Sequence, residues 1–104
     1  MATYIADNVS IDHRAEIDDD VTIGPYCVIG PKVRIGRGTR LENNVTLMGR
    51  VTLGEYNHIY PGAVIGGDPQ DISYTGAETE VRIGDHNTIR ETVTINRATE
   101  KEDG

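Results

Sequence analysis

Three histidines, one cysteine and a scatter of carboxylates are the side chains of this sequence with the widest chemical reach. A neutral imidazole can take a proton from a hydroxyl near pH 7 and can also ligate zinc. His13, His58 and His86 stand far apart, at unlike positions of the repeat described below. Zinc needs three ligands that converge, and no motif around any of the three marks a general base. They read as surface histidines, with no metal site and no catalytic residue among them. Cys27, the single cysteine, allows no internal disulfide and no cysteine-cluster zinc site. It occupies a small inward slot of the repeat and reads as a buried, inert thiol. The run Asp18-Asp19-Asp20 is a solvated turn without the spaced ligand set of a calcium loop. The five tyrosines share no repeat position and so form no stacking platform for bases. There remains the polar pair Gln70-Asp71. An aspartate in a loop can bond the loop's own amides or a ligand.

The elements that would hold such a loop are set by the period of the sequence. Fourteen of the fifteen isoleucines and leucines fall on one residue of a six-residue repeat, from Ile5 through Leu41 to Ile95, and only Ile72 is out of phase. A second position, four residues later, holds Val9, Val21, Val33, Val45, Val51, Val81 and Val93, or the small Ala15, Cys27 and Ala63. Six is neither the 3.6 of a helix nor the 2 of a plain strand. It suits a short strand and a turn, with both apolar positions facing inward. Three units then close one triangular coil, and coils stack by parallel pairing. Glycine after the aliphatic residue, as at Gly24, Gly30, Gly36, Gly54, Gly66 and Gly84, is expected to supply open φ values at corners. The expectation is an all-β, left-handed parallel β-helix, one domain over residues 1–104, with one loop ejected near residues 68–80. The in-phase aliphatics are missing there, yet the period resumes at Ile83.

Composition agrees with a thin, repetitive core. The chain has 104 residues, 37% apolar, with 12 glycines and neither Phe nor Trp. Ten Lys and Arg against 17 Asp and Glu give a net charge of −7. That sign argues against generic nucleic-acid binding and against docking on anionic lipid. No apolar run approaches the roughly 20 residues of a membrane-spanning helix. The first residues lack the basic and apolar regions of a signal peptide. A reducing cytoplasmic setting is the expectation.

The loop and its surroundings are more specific than the repeat. Ile65-Gly66-Gly67-Asp68-Pro69-Gln70-Asp71, with Ser73-Tyr74-Thr75-Gly76 after it, resembles the signature loop of the acyl-[acyl-carrier-protein]–UDP-N-acetylglucosamine O-acyltransferases. The block from Ile83 to Thr99, with Arg90-Glu91-Thr92-Val93-Thr94-Ile95-Asn96-Arg97, resembles the family's next segment. The likeness spans nearly the whole chain and corresponds to the N-terminal part of the family's β-helix.

The resemblance implies a homotrimer with sites in clefts between subunits. It implies transfer of an R-3-hydroxyacyl group from acyl carrier protein to the glucosamine 3-hydroxyl of UDP-N-acetylglucosamine, an early step of lipid A biosynthesis, with no metal and no cofactor. Asp71 matches the family's sugar-contacting loop aspartate, and Gln70 is its motif neighbour. Asn96 stands where some members carry a substrate-touching histidine, and Ser73 where some carry a lysine. In the family the general base belongs to a His-Asp hexapeptide, a dipeptide this sequence does not contain, and a C-terminal helical domain comes after it. The expectation is therefore substrate-binding residues Asp71, Gln70 and Asn96 without turnover by the 104 residues alone. The alternative is a non-catalytic trimeric structural module.

Overall fold

The computed structural model describes residues 3–67, 80–90 and 94–96. Its strands keep to the six-residue period. The first coil holds β1 (Tyr4–Ile5), β2 (Ser10–Ile11) and β3 (Glu16–Ile17). The second holds β4 (Thr22–Ile23), β5 (Val28–Ile29) and β6 (Val33–Ile35). The third holds β7 (Arg40–Leu41), β8 (Thr46–Leu47) and β9 (Arg50–Leu53). The fourth holds β10 (His58–Ile59), β11 (Val64–Gly67) and β12 (Glu80–Ile83), and β13 (Thr88–Ile89) and β14 (Thr94–Asn96) continue the winding. Every third strand joins the same sheet. Sheet A stacks β1-β4-β7-β10-β13, sheet B stacks β2-β5-β8-β11-β14, and sheet C stacks β3-β6-β9-β12. All pairings are parallel, and the fold is a left-handed β-helix.

The register is the repeat made visible. Tyr4 pairs with Thr22 and Thr22 with Arg40, so strand partners stand three repeat units apart in sequence. Both apolar positions of the unit point inward. Ile23, Ile29, Ile35, Leu41, Leu47, Leu53, Ile59 and Ile65 are buried, and Val21, Cys27, Val33, Val45, Val51 and Ala63 fill the wall between them. Each aliphatic side chain so buried contributes about 1.5–3 kcal/mol before entropy is charged against it.

The glycines act differently from the expectation. Of the six that come after an aliphatic residue, Gly66 alone has positive φ. The positive-φ position is two residues later, at Asp20, Tyr26, Gly38, Asn44, Tyr56, Gly62 and His86. This conformation turns the corner and aims the N–H along the stack. Tyr26 donates to the Asn8 carbonyl, Asn44 to Pro25, Tyr56 to Arg37 and His86 to Glu55. An inter-coil hydrogen bond thus offsets the roughly 1–2 kcal/mol that left-handed backbone costs a residue with a Cβ. Glycine after the aliphatic residue answers to space instead. A Cβ on Gly24 would stand 2.9 Å from the Glu42 carbonyl carbon, and one on Gly36 would overlap the Gly54 carbonyl.

The apolar wall has a polar interruption on one corner. Thr39, Asn57 and Asn87 take the position that valine holds elsewhere. Thr39 and Asn57 are buried, and their side-chain polar atoms have partners. The Thr39 hydroxyl donates to the Gly54 carbonyl (2.8 Å) and accepts the Asn57 N–H (3.2 Å). Asn57 Nδ2 donates to the Gly84 carbonyl (2.7 Å), and its Oδ1 accepts the Asn87 N–H (2.8 Å).

Candidate functional site

The candidate site is the corner where sheet B passes to sheet C in the fourth coil. Sheet B strands below it are two residues long, but β11 continues to Gly67. Its pairing with β14 is bulged: Ile65 faces Ile95 and Gly67 faces Asn96, so Gly66 is the extra residue. A bulge bends a strand and re-aims the backbone beyond it. Gly66 is buried at φ +89°, with the Met48 carbonyl and the Val51 side chain where a Cβ would go. β11 is described to Gly67, the segment expected to be an ejected loop lies outside the described residues, and β12 begins at Glu80, pairing with β9 over four residues, from Glu80↔Arg50 to Ile83↔Leu53. Between the second and third coils, sheet C partners such as Ile35 and Leu53 are three repeat units apart. Across this corner Leu53 and Ile83 are five units apart. Two units of sequence are therefore inserted without loss of phase, as the missing aliphatics led one to expect.

Of the three expected binding residues, Gln70 and Asp71 lie outside the described residues. Asn96 is placed by its backbone. It sits at the end of β14, one strand spacing (about 4.8 Å) from Gly67 at the loop's root. The fold thus brings the second conspicuous motif to the base of the first, from the far side of the insertion.

The same corner carries charge in the coils beneath. Arg14 donates to both carboxylate oxygens of Asp12 (3.0 and 3.1 Å), and its backbone N–H adds a third bond (2.9 Å). These bonds to Arg14 hold the Asp12 carboxyl down at about 2, against an ordinary 3.8. Because the folded value is the depressed one, the interaction is present above the ordinary value and is lost as pH falls through about 2. Carboxyl chemical shifts tracked by NMR are expected to place Asp12 near 2, and Arg14→Ala to return it toward 3.8. An unchanged midpoint in that variant would contradict this origin.

The histidines divide. His13 is exposed, with 89% of its side chain open to solvent. His86 stacks on the Tyr56 ring at 5.5 Å. His58 is half-buried on the outer face of sheet A: its Nε2 lies 2.6 Å from Glu42 Oε2, its ring stacks on Tyr60 at 4.3 Å, and the Arg90 guanidinium covers Tyr60 at 4.5 Å. Reading the histidines one at a time misses that constellation. Glu42, Tyr60 and Arg90 each come directly after the paired Leu41, Ile59 and Ile89, and that alignment across three coils is the signal that could find it. Among the described residues no three metal-ligating side chains converge. Cys27 is fully buried, its Sγ 3.1 Å from the Glu42 carbonyl, and burial pushes its thiol pKa up.

Comparison with known proteins gives a consistent set. The family model described as the GMPPB C-terminal domain matches residues 5–100. An acyl-[acyl-carrier-protein]–UDP-N-acetylglucosamine O-acyltransferase of Thermodesulfovibrio yellowstonii is 54% identical over 94 residues, which is 90% of this chain and 36% of that protein. The enzyme of that name in Saccharophagus degradans is 40% identical over 102 residues, 98% of this chain and 40% of that protein. The solved structure of the Francisella novicida UDP-N-acetylglucosamine acyltransferase superposes with a TM-score of 0.91 at 42% identity, covering 96% of this chain and 37% of that one. The chain therefore spans well under half the length of these relatives. No helix among the described residues is long and apolar enough to cross a membrane.

Proposed function

Since the chain belongs to the family of the GMPPB C-terminal domain model and is similar over most of its length to a part of the UDP-N-acetylglucosamine O-acyltransferases, we propose that it supplies the sugar-facing half of such an enzyme's acyl-transfer site. The reaction is the attack of the glucosamine 3-hydroxyl on the thioester of an R-3-hydroxyacyl-carrier protein. The C–O bond of the new ester forms, the C–S bond breaks, and the hydroxyl proton passes through a general base to the departing thiol. The product belongs to lipid A biosynthesis, in the cytoplasm. Residues 1–104 form one β-helical domain that works as a homotrimer.

In this reading Asp71 accepts hydrogen bonds from the sugar, Gln70 steadies the same loop, and Asn96 approaches the substrate from the adjoining coil. One observation carries it: an insertion of two repeat units, in register, at a bulged corner whose root lies against Asn96. A regular solenoid has no folding need for such a loop, and loops on rigid scaffolds are where binding residues gather. The sequence has no His-Asp dipeptide; of the described histidines beside a carboxylate, His58 lies on sheet A, and His13, 3.8 Å from Asp12, is exposed in the first coil, away from the loop's root. The 104 residues alone are accordingly expected to bind without turning over.

Calorimetry tests the assignment. UDP-N-acetylglucosamine is expected to bind weakly, at about millimolar Kd, equivalent to about 4 kcal/mol. Asp71→Ala is expected to weaken that binding at least about tenfold. Micromolar binding unchanged in Asp71→Ala would remove Asp71 from the site.

A further inference from the structure

Two tyrosines at unlike positions of the repeat come together on the solenoid's surface. Tyr4 comes one residue before the in-phase Ile5, on the outer face of sheet A, and Tyr26 three residues after Ile23, where sheet A passes to sheet B. They are 61% and 60% exposed, more than any other large apolar or aromatic residue described. Among the described residues both line one groove of about 390 Å³ that spans the first three coils. A single exposed tyrosine is ordinary, but a volume in the range of about 300–1,000 Å³ with aromatic walls is what small-molecule sites share.

The register builds the groove. Tyr4, Thr22 and Arg40 form one outward column, each paired with the next. In the column beside it, Gly24 and Glu42 come directly after the paired Ile23 and Leu41. The second coil thus offers only small residues, Thr22 and Gly24, between Tyr4 below and Arg40 and Glu42 above. Tyr26 closes the corner side. Its N–H donates to the Asn8 carbonyl at 2.6 Å, which anchors the turn that carries the ring. Asn44 holds the same corner position one coil above, also at positive φ. Asn43 and Asn44 line the upper side, with Asn43 Nδ2 donating to Asn44 Oδ1 at 2.9 Å.

The rim sets the chemistry of a ligand. Arg40 Nε lies 3.4 Å from Glu42 Oε2, and His58 Nε2 lies 2.6 Å from that same oxygen. The carboxylate is therefore fixed from two sides. A guanidinium has more donors, and a carboxylate more acceptor sites, than these contacts use. Donor, acceptor and carboxamides side by side suit hydroxyl groups, each of which donates and accepts. Tyrosine rings suit the C–H faces between those hydroxyls, because they give a large, rigid, amphipathic contact at little entropic cost. A phosphate or carboxylate ligand would meet Glu42 on the rim. The geometry points to a binding site for a neutral sugar ring, packed on Tyr4 and Tyr26 over Thr22 and Gly24, with its hydroxyls on Arg40, Glu42 and the Asn43-Asn44 pair. The site lies on a different corner from the Gly67–Asn96 root and stands independently of the function proposed above.

Maltose and lactose are the probes, both neutral, and together they present gluco and galacto rings. Tyrosine-ring signals of the whole 104-residue chain are followed by NMR as sugar is added to about 0.1 M. At least one sugar is expected to shift the Tyr4 and Tyr26 signals, with a Kd of about 1–10 mM. Tyr4→Thr and Tyr26→Asn place at each position the residue that the coil above holds there, Thr22 and Asn44. Each should weaken binding at least about fivefold. Thr22→Arg, matching Arg40 one coil above, fills the floor of the groove and should abolish binding. Circular dichroism verifies that the variants are folded, and the shifts in the unaltered chain need no variant. If neither sugar moves the two tyrosine signals, or if binding is unchanged in both tyrosine variants or in Thr22→Arg, the groove is not a sugar site. Shifts confined to residues around Asn96 would put the sugar at the other corner and equally overturn the assignment.

Discussion

Gly66→Ala is expected to lower the free energy of unfolding by about 2–5 kcal/mol, measured by chemical denaturation. Two costs add. At φ +89° a side chain loses about 1–2 kcal/mol from backbone strain alone. The new methyl would also overlap the Met48 carbonyl oxygen and the Val51 Cγ2. The first is main chain of the coil below, so relief requires the two coils to part, and overpacking of this kind costs about 1–3 kcal/mol. Gly84→Ala is the control. Its Cβ would meet nothing within 4 Å and its φ is not positive, so its effect should stay within about 0.5 kcal/mol. Equal effects in the two variants would mean that glycine at this position is chosen for something other than coil-to-coil clearance. Because Gly66 is also the bulge residue, the shift reaches Gly67 and its pairing with Asn96, and on the function proposed above UDP-N-acetylglucosamine binding should weaken along with stability.

Asn57→Leu is expected to cost about 2–4 kcal/mol. The leucine fills the slot with apolar volume, yet leaves the Asn87 N–H and the Gly84 carbonyl without the partners they have at 2.8 and 2.7 Å. Each part-buried polar group stranded in this way costs about 1–3 kcal/mol, and water reaching Gly84 and Asn87 from outside keeps the sum toward the lower half. Thr39→Val strands the Gly54 carbonyl and the buried Asn57 N–H and should likewise cost about 2–4 kcal/mol. The double variant Thr39→Val/Asn57→Val is the informative one. Valine is what this slot holds in other coils, and the bond that links the two residues is donated by the Asn57 main-chain N–H, which Asn57→Val leaves in place, so the double variant strands the same four groups as the two single substitutions together. Its cost should be about the sum of Thr39→Val and Asn57→Val measured singly, and a clearly smaller cost would show that the two side chains are coupled beyond the groups they bond.

The aliphatic column is legible in the sequence because its rule is local: every sixth residue, repeated along the chain, with no need to know what lies opposite. The corners are not, because their rule joins residues a whole coil apart. Tyr26, Tyr56 and His86 are poor candidates for left-handed backbone on residue type. They hold it because a carbonyl of the coil below receives each N–H. Asn57 reads as a missing valine until Thr39 from one neighbouring coil and Asn87 from the other are brought beside it. The site divides in the same way. The Gln70-Asp71 loop is marked by a motif and by the gap in the aliphatics. That Asn96 abuts its root depends on the widened offset between coils and on the bulge at Gly66, neither of which the period shows.

The widening of that offset, from three repeat units to five, has a bearing on how such a protein varies over time. The coils on either side stack as though nothing had been added, so the scaffold does not constrain the length of the segment between Gly67 and Glu80. The entropy of closing a loop grows only with the logarithm of its length, and doubling the inserted stretch would cost about 0.6 kcal/mol. Lineages can therefore lengthen, shorten or rewrite that segment with little penalty to the solenoid, and a designer can splice a foreign binding loop there. The corner is a socket whose contents can diverge while its mounting stays fixed.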